Sequence, residues 1–238
     1  TGRFHASLAF TFDEAVALYL GRRLLDPLAG TPFWDAAQTA FRKIRAGLGE
    51  GALAHIERFA ELFQSTAVGL SDYREQASLI DDLIFAVNES RVVRVTYQSL
   101  QATEPASYTL RPYGVIYHRG WLYIVGCSPR HEKLLHLKVN RMQSVEVTER
   151  RFERPADFDL QEHLAGSFGI FQQDDNVQVT VRFAPKVARY VSEGRWHASQ
   201  EIAVQRDGSL IARFALDGTE EIKHWLMGFG RHAQVIEP

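Results

Sequence analysis

Three spacings of apolar residues follow one another along the chain. Residues 1–87 have a helical period. Thr11 and Glu14 form a Thr-x-x-Glu capping box ahead of Ala15, Val16, Leu18, Tyr19 and Leu20. In such a box the hydroxyl and the carboxylate each satisfy a free backbone donor at the helix start. A loop through Pro27, Gly30 and Pro32 leads to a second helical stripe of Phe33, Ala37, Ala40, Phe41, Ile44 and Leu48, closed by Gly47, Gly49 and Gly51. A further helix is predicted from Tyr73 to Glu89, with Leu79, Ile80, Leu83, Ile84 and Val87 on one side.

From residue 91 the period falls to two. Val93, Val95 and Tyr97 alternate with Arg94, Thr96 and Gln98, which is strand spacing. Further strands are predicted over Tyr108–Tyr117, Trp121–Cys127, Leu134–Arg141 and Ser144–Glu149. Pro112 and Gly114 predict a bend or bulge in the first of these. Arg119-Gly120 predicts the turn after it. Short strands with tight turns imply a small, strongly bent sheet or barrel.

Residues 177–238 read differently. Strand, helix, strand, strand, helix and strand are predicted over Val177–Phe183, Pro185 to Gly194, Trp196–Gln205, Leu210–Leu216, Glu220–Gly228 and Ala233–Ile236. Asp207-Gly208 supplies a hairpin turn. This β-α-β-β-α-β order is that of a ferredoxin-like sandwich. Residues 152–176, with Pro155 and Gln172-Gln173-Asp174-Asp175, read as a linker. The fold class is thus α+β, with a helical region (1–87), a small β-barrel module (88–151), the linker and a ferredoxin-like module (177–238).

Composition excludes several classes. The 238 residues are 45% hydrophobic and 24% charged, as in ordinary globular domains. No apolar run approaches the roughly 20 residues of a membrane helix, so no membrane partner is expected. A single cysteine forms no internal disulfide and makes a cytoplasmic location the default expectation. The net charge of -2 is unevenly spread: residues 88–154 hold 11 Lys or Arg against 6 Asp or Glu, between two acidic flanks. A basic middle points to an anionic partner for that segment.

The chain has no phosphate loop, nucleophile elbow or zinc helix of known spacing. Cys127, His131 and His136 lack a fourth ligand, so no metal and no cofactor are expected. Paired carboxylates such as Asp81-Asp82 and Glu220-Glu221 fall at helical positions where neighbours diverge. No enzyme is expected. Strand parity is more informative. His136 and Lys138 alternate with Leu135, Leu137 and Val139, and Trp121 and Tyr123 with Leu122 and Ile124. With the aliphatic side chains inward, the outer face shows rings beside cations, extended by Arg111, Tyr113, Tyr117 and Arg119. Such a face suits single-stranded nucleic acid or nucleotides.

These residues resemble the WYL-domain transcription regulators of bacteria. The stretch from Tyr108 to Gly126 is similar to the family's Pro-Tyr-Gly segment and the Trp-Tyr-Leu signature after it. Leu122-Tyr123-Ile124 stands at the signature and keeps its tyrosine, with Trp121 one place earlier. The run from His136 to Arg141 resembles the family's later basic strand, with Lys138 for an Arg and Met142 for an Ile. Tyr108 stands where the family has an Arg, although Arg111 lies nearby. Residues 177–238 resemble the C-terminal extension called WCX, through Arg195–Gln200, Trp225, Gly228-Phe229-Gly230 and the end from Val235 to Pro238. Phe12 to Leu18 and Ala40 to Ile44 resemble the linker helices.

The resemblance implies an Sm-like barrel that senses an effector and a WCX module that aids homodimerisation. It also implies a winged helix-turn-helix, outside this sequence, that reads promoter DNA. Some members of the family respond to single-stranded DNA produced by damage, others to nucleotides. The expected ligand face comprises Arg111, Tyr113, Arg119, Trp121, Tyr123, His136, Lys138 and Arg141. Cations would meet phosphates, His136 a phosphate or base edge, and Tyr113, Trp121 and Tyr123 would stack. Two rival readings are a protein-interaction module without a small ligand and an accessory domain of a nucleic-acid-processing enzyme.

Overall fold

A computed structural model describes residues 11–23, 25–48, 53, 54, 56, 58, 71–130, 132–173 and 176–238. Gly49, Gly51, His131, Asp174 and Asp175, named above, lie outside the described residues. The chain divides into two compact units, residues 1–152 and 153–238.

In the first unit the capping box forms as its sequence requires: Thr11 N–H donates to the Glu14 carboxylate at 2.8 Å and Glu14 N–H to the Thr11 hydroxyl at 3.3 Å. Helix α1 spans Phe12–Arg23. Helix α2 spans Pro32–Ala46, with Pro32 in its first turn and the Thr31 hydroxyl accepting from Trp34 N–H. The third predicted helix begins later than Tyr73. A 3-10 turn over Arg74–Gln76 precedes α3, Ala77–Asn88.

Helix α3 buries Ile80, Leu83 and Ala86, spaced three apart and so on one face. That face lies on a five-stranded antiparallel sheet of β1 (Arg91–Tyr97), β2 (Ala106–His118), β3 (Trp121–Ser128), β4 (Lys133–Lys138) and β5 (Met142–Arg151), in spatial order β4-β3-β2-β1-β5. Val93, Val95, Leu110, Leu122, Ile124, Leu137, Val139 and Met142 form the core beneath α3. Burying each such side chain contributes about 1.5–3 kcal/mol before ordering costs. The edge strands β4 and β5 are joined by a 3-10 turn, Val139–Arg141, and among the described residues no ladder closes the sheet into a complete barrel. The bulge expected near Pro112 appears as a register shift between Pro112 and Gly114. Opposite it, a Cβ on Gly126 would lie 2.5 Å from the Arg111 carbonyl oxygen, so only glycine allows this close approach.

The strand expected to run to Arg141 ends at Lys138. Beyond Lys138 the β3–β4 ladder has no further pairs, and Leu122 has no partner on β4. The Leu122 N–H donates instead to the Tyr73 hydroxyl at 2.6 Å. Tyr73 is fully buried, and that burial raises its pKa.

The second unit has the expected β-α-β-β-α-β order: β6 (Asn176–Phe183), α5 (Pro185–Glu193), β7 (Glu201–Val204), β8 (Leu210–Asp217), α6 (Glu220–Met227) and β9 (Ala233–Glu237). Its antiparallel sheet runs β7-β8-β6-β9. Pro185 starts α5, and Ala188, Val191, Ile222 and Leu226 bring both helices onto Val179, Val181, Phe183, Ala212, Phe214 and Leu216. Trp225 centres the aromatic packing, with ring centroids 4.8 Å from Trp196, 5.0 Å from Phe229 and 5.2 Å from Phe168.

Two expectations need correction. The predicted strand from Trp196 begins only at Glu201. Trp196 N–H donates to the Gln200 side chain and its indole N–H to the Val191 carbonyl, which holds the segment in a loop over α5. The region read as a linker also packs in part onto the second unit. It contains a short helix, α4 (Leu160–Leu164), and buries Ile170. The Glu221 carboxylate accepts the N–H groups of Ile170 and Phe171 at 2.8 and 2.9 Å.

Tyr73→Phe keeps the ring but strands the buried Leu122 N–H. We expect a loss of about 1–3 kcal/mol in the first unit, read by urea unfolding followed at amides of β1 and β3. No loss would mean that the hydroxyl is dispensable.

Candidate nucleic-acid interface

The ladders show which site residues share a face. Tyr123 lies between Ile116 and Lys138, Val125 between Gly114 and His136, Trp121 opposite His118, and Arg111 opposite Cys127. Paired residues project to the same side of a sheet. The outer face of β2–β3–β4 therefore carries Arg111, Trp121, Tyr123, His136 and Lys138, as their parity predicts. The inner face carries Leu122, Ile124 and Leu137, which belong to the core.

The most defined contact on this face is between Lys138 and Trp121. The ammonium nitrogen lies 3.0 Å from the centroid of the half-buried indole ring. Such an interaction contributes about 0.5–2 kcal/mol, depending on desolvation. Arg141 follows in the 3-10 turn. Because the strand ends at Lys138, strict alternation no longer assigns Arg141 to the core side, and it is half-buried. Burial is the main cause of a lowered Lys138 pKa, and the positive charge of Arg141 adds to it. Arg119 sits at the exposed tip of the β2–β3 hairpin with a positive φ of 48°, followed by Gly120 at 87°. Among the described residues, no carboxylate forms an ion pair with Arg111, Arg119, Lys138 or Arg141.

Two of the expected stacking rings are covered. Tyr113, displaced by the β2 bulge, is 6% exposed and packs against Phe152 at 5.7 Å between centroids. Tyr123 is 8% exposed. His136 is half-buried and already engaged by a neighbour. Trp121 is thus the more accessible ring of the three expected to stack. Among the described residues, no group of three or more His, Cys, Asp or Glu is placed to hold a metal ion. Among them also, no helix is long and apolar enough to cross a membrane.

Sequence parity did not reveal a polar cluster beside this face. Asn140, between Lys138 and Arg141, donates to the Ser71 hydroxyl, and Ser71 hydrogen-bonds to the Tyr73 hydroxyl. The end of the basic strand is thereby tied to the segment that enters α3.

Family comparison matches residues 78–147 to the WYL domain and residues 175–238 to the WCX domain. The chain is a WYL-domain protein with a C-terminal WCX domain. This bears out the resemblance to WYL-domain transcription regulators. Protein PafB of Mycobacterium tuberculosis and of Mycobacterium bovis is 23% identical over 232 residues, covering 96% of this chain and 67% of each relative. Among solved structures, proteasome accessory factor B/C (PafBC) of Arthrobacter aurescens aligns with a TM-score of 0.36 and 21% identity. That alignment covers 97% of this chain, which spans about a third (34%) of PafBC. A CRISPR Cas-related protein aligns with a TM-score of 0.49 and 13% identity, over 98% of this chain and 83% of that one.

The Lys138 pKa offers a direct test of this geometry. Burial and the Arg141 charge both disfavour the ammonium, while the Trp121 face favours it. With its pKa below the ordinary 10.5, Lys138 costs stability at pH below its folded value. That cost fades as pH rises from the folded value toward 10.5. Arg141→Gln removes one of the two depressing causes. We expect it to raise the Lys138 pKa in a side-chain NMR titration. An unchanged value would show that Arg141 does not act on Lys138.

Proposed function

We propose that this chain is the effector-sensing and dimerising part of a transcription regulator. In this reading its WYL domain holds a short single-stranded nucleic acid, most simply single-stranded DNA, or a nucleotide on the outer face of β2–β3–β4. The observation that carries the proposal is Lys138 resting on Trp121 beside Arg141, with no carboxylate partner for either cation among the described residues. Cations without counter-ions beside an accessible ring suit a ligand with both phosphates and bases.

A phosphate arriving at Lys138 and Arg141 draws the ammonium off the indole. The ring face it leaves then accepts a base. Arg111 and Arg119 extend the cationic track, and His136 lies beside it. Tyr113 and Tyr123 support the face from within rather than stack on the ligand. The Asn140–Ser71–Tyr73 cluster gives ligand binding a route to the helices that precede the sheet. Ligand occupancy controls promoter binding only to the extent that it favours one arrangement of those helices. Promoter DNA itself is read by a domain outside this sequence.

Homodimerisation is assigned to the WCX domain. Its aromatic Trp196, Trp225 and Phe229 pack against its own core. Ile202 and Val204 on one edge strand, and Val235 and Ile236 on the other, are exposed instead, and unpaired apolar edges favour association.

The test is the affinity of a labelled single-stranded oligonucleotide measured across salt concentrations. We expect Lys138→Ala to weaken binding and to reduce the salt slope by about 0.7 for each phosphate that is no longer neutralised. Trp121→Ala should cost about 1–3 kcal/mol with little change in slope. Unchanged affinity in both folded variants contradicts the assignment. Salt-independent binding of a protein partner in its place would favour the interaction-module reading.

A further inference from the structure

The second unit contains a cationic cavity that the reading above does not use. It measures about 200 Å3 and is lined by Arg182, Ser209, Arg231, His232 and Gln234, together with Asp207, Ala184 and Pro185. All these residues belong to the second unit. Three elements converge there. Arg182 lies near the end of the central strand β6, paired with Ile211 and with Gln234. Asp207 and Ser209 come from the β7–β8 turn. Arg231 and His232 come from a 3-10 turn, Gly230–His232, that enters β9. The His232 carbonyl accepts the Ala184 N–H at 2.9 Å, which fixes that turn over the start of α5.

The charges in the cavity do not cancel. Asp207 is the one carboxylate in the lining. One of its oxygens accepts from the Ser209 N–H at 3.0 Å and the Ser209 hydroxyl at 2.6 Å, and the other from Arg182 at 2.5 Å. The Ser209 hydroxyl also accepts the Arg182 Nε–H at 3.2 Å. Arg182 is therefore held in a fixed, locally neutralised orientation. Arg231 has no ion-pair partner among the described residues. The first turn of α5 adds its positive end, with Pro185 contributing no N–H of its own. The result is an excess of donors around a space large enough for a small tetrahedral anion.

We propose that this cavity is a phosphate site, with Arg231 as its principal charge, Arg182 as a pre-oriented donor, and His232 and Gln234 completing the rim. The recognised chemistry is a phosphate group, whether free or part of a nucleic-acid backbone. The site lies wholly in the second unit, and the proposal does not depend on the reading of the WYL face.

The experiment is NMR of the whole 238-residue chain, following the side-chain signals of Arg182, Arg231 and His232 at constant ionic strength. Inorganic phosphate, pyrophosphate and a short oligothymidylate are added in turn, with chloride as the control. We expect saturable shifts at these three residues with phosphate and pyrophosphate, and none with chloride. Arg231→Gln should weaken binding about tenfold, the value of one charge-assisted hydrogen bond. Arg231 is exposed, so this change leaves the core intact. His232→Gln provides a second variant, also expected to weaken binding. Shifts with the oligothymidylate as well identify a nucleic-acid backbone as the source. Shifts with the small anions alone identify free phosphate. Absence of a saturable shift with all three, or unchanged affinity in folded Arg231→Gln, overturns the proposal.

Discussion

The first unit depends on the hydrogen bond between the Leu122 N–H and the Tyr73 hydroxyl, 49 residues apart in sequence. It forms where β4 stops and leaves Leu122, paired with Tyr117 of β2, without a partner on β4. An unpaired amide at that depth is costly, and a fully buried tyrosine supplies its acceptor. The same tyrosine fixes the entry to α3, whose Ile80, Leu83 and Ala86 then cover the sheet. This bond ties the start of β3 to the entry of α3, and the Asn140–Ser71 bond ties the end of β4, which presents Lys138, to the same segment.

This arrangement gives the proposed ligand face a mechanical neighbour. Asn140 lies in the turn between Lys138 and Arg141, and its amide reaches Ser71. A ligand that repositions the two cations acts on the same turn. The segment beginning at Ser71 precedes α3, so the path from the face to the helices is a single hydrogen-bonded cluster. Coupling of this kind needs a difference in ligand affinity between two arrangements, not merely a connection.

Much of this was legible in the sequence because it is local. Alternation placed Lys138 and His136 opposite Leu137, and the ladder pairs Lys138 with Tyr123 as that parity requires. The order of elements in the second unit followed from Pro185, Asp207-Gly208 and the changes of period. Long-range facts were not legible. Nothing near Tyr113 indicates that Phe152 will cover it. Nothing in Trp196 indicates that its indole N–H bonds to α5 and keeps it out of β7. Strand periodicity ran on through Val139 and Arg141, although the chain turns there so that β4 and β5 become opposite edges. Burial separated Trp121 from Tyr123, two rings that parity treats as equivalent.

If the basic WYL face and the start of α3 respond together, amide hydrogen exchange of the whole chain, with and without a short single-stranded oligonucleotide, reports both. We expect increased protection over β3 and β4, together with changed exchange at Leu122 and across Tyr73–Ala77. Protection confined to β3 and β4 would contradict the coupling, and no change on that face in the presence of bound oligonucleotide would contradict the site itself.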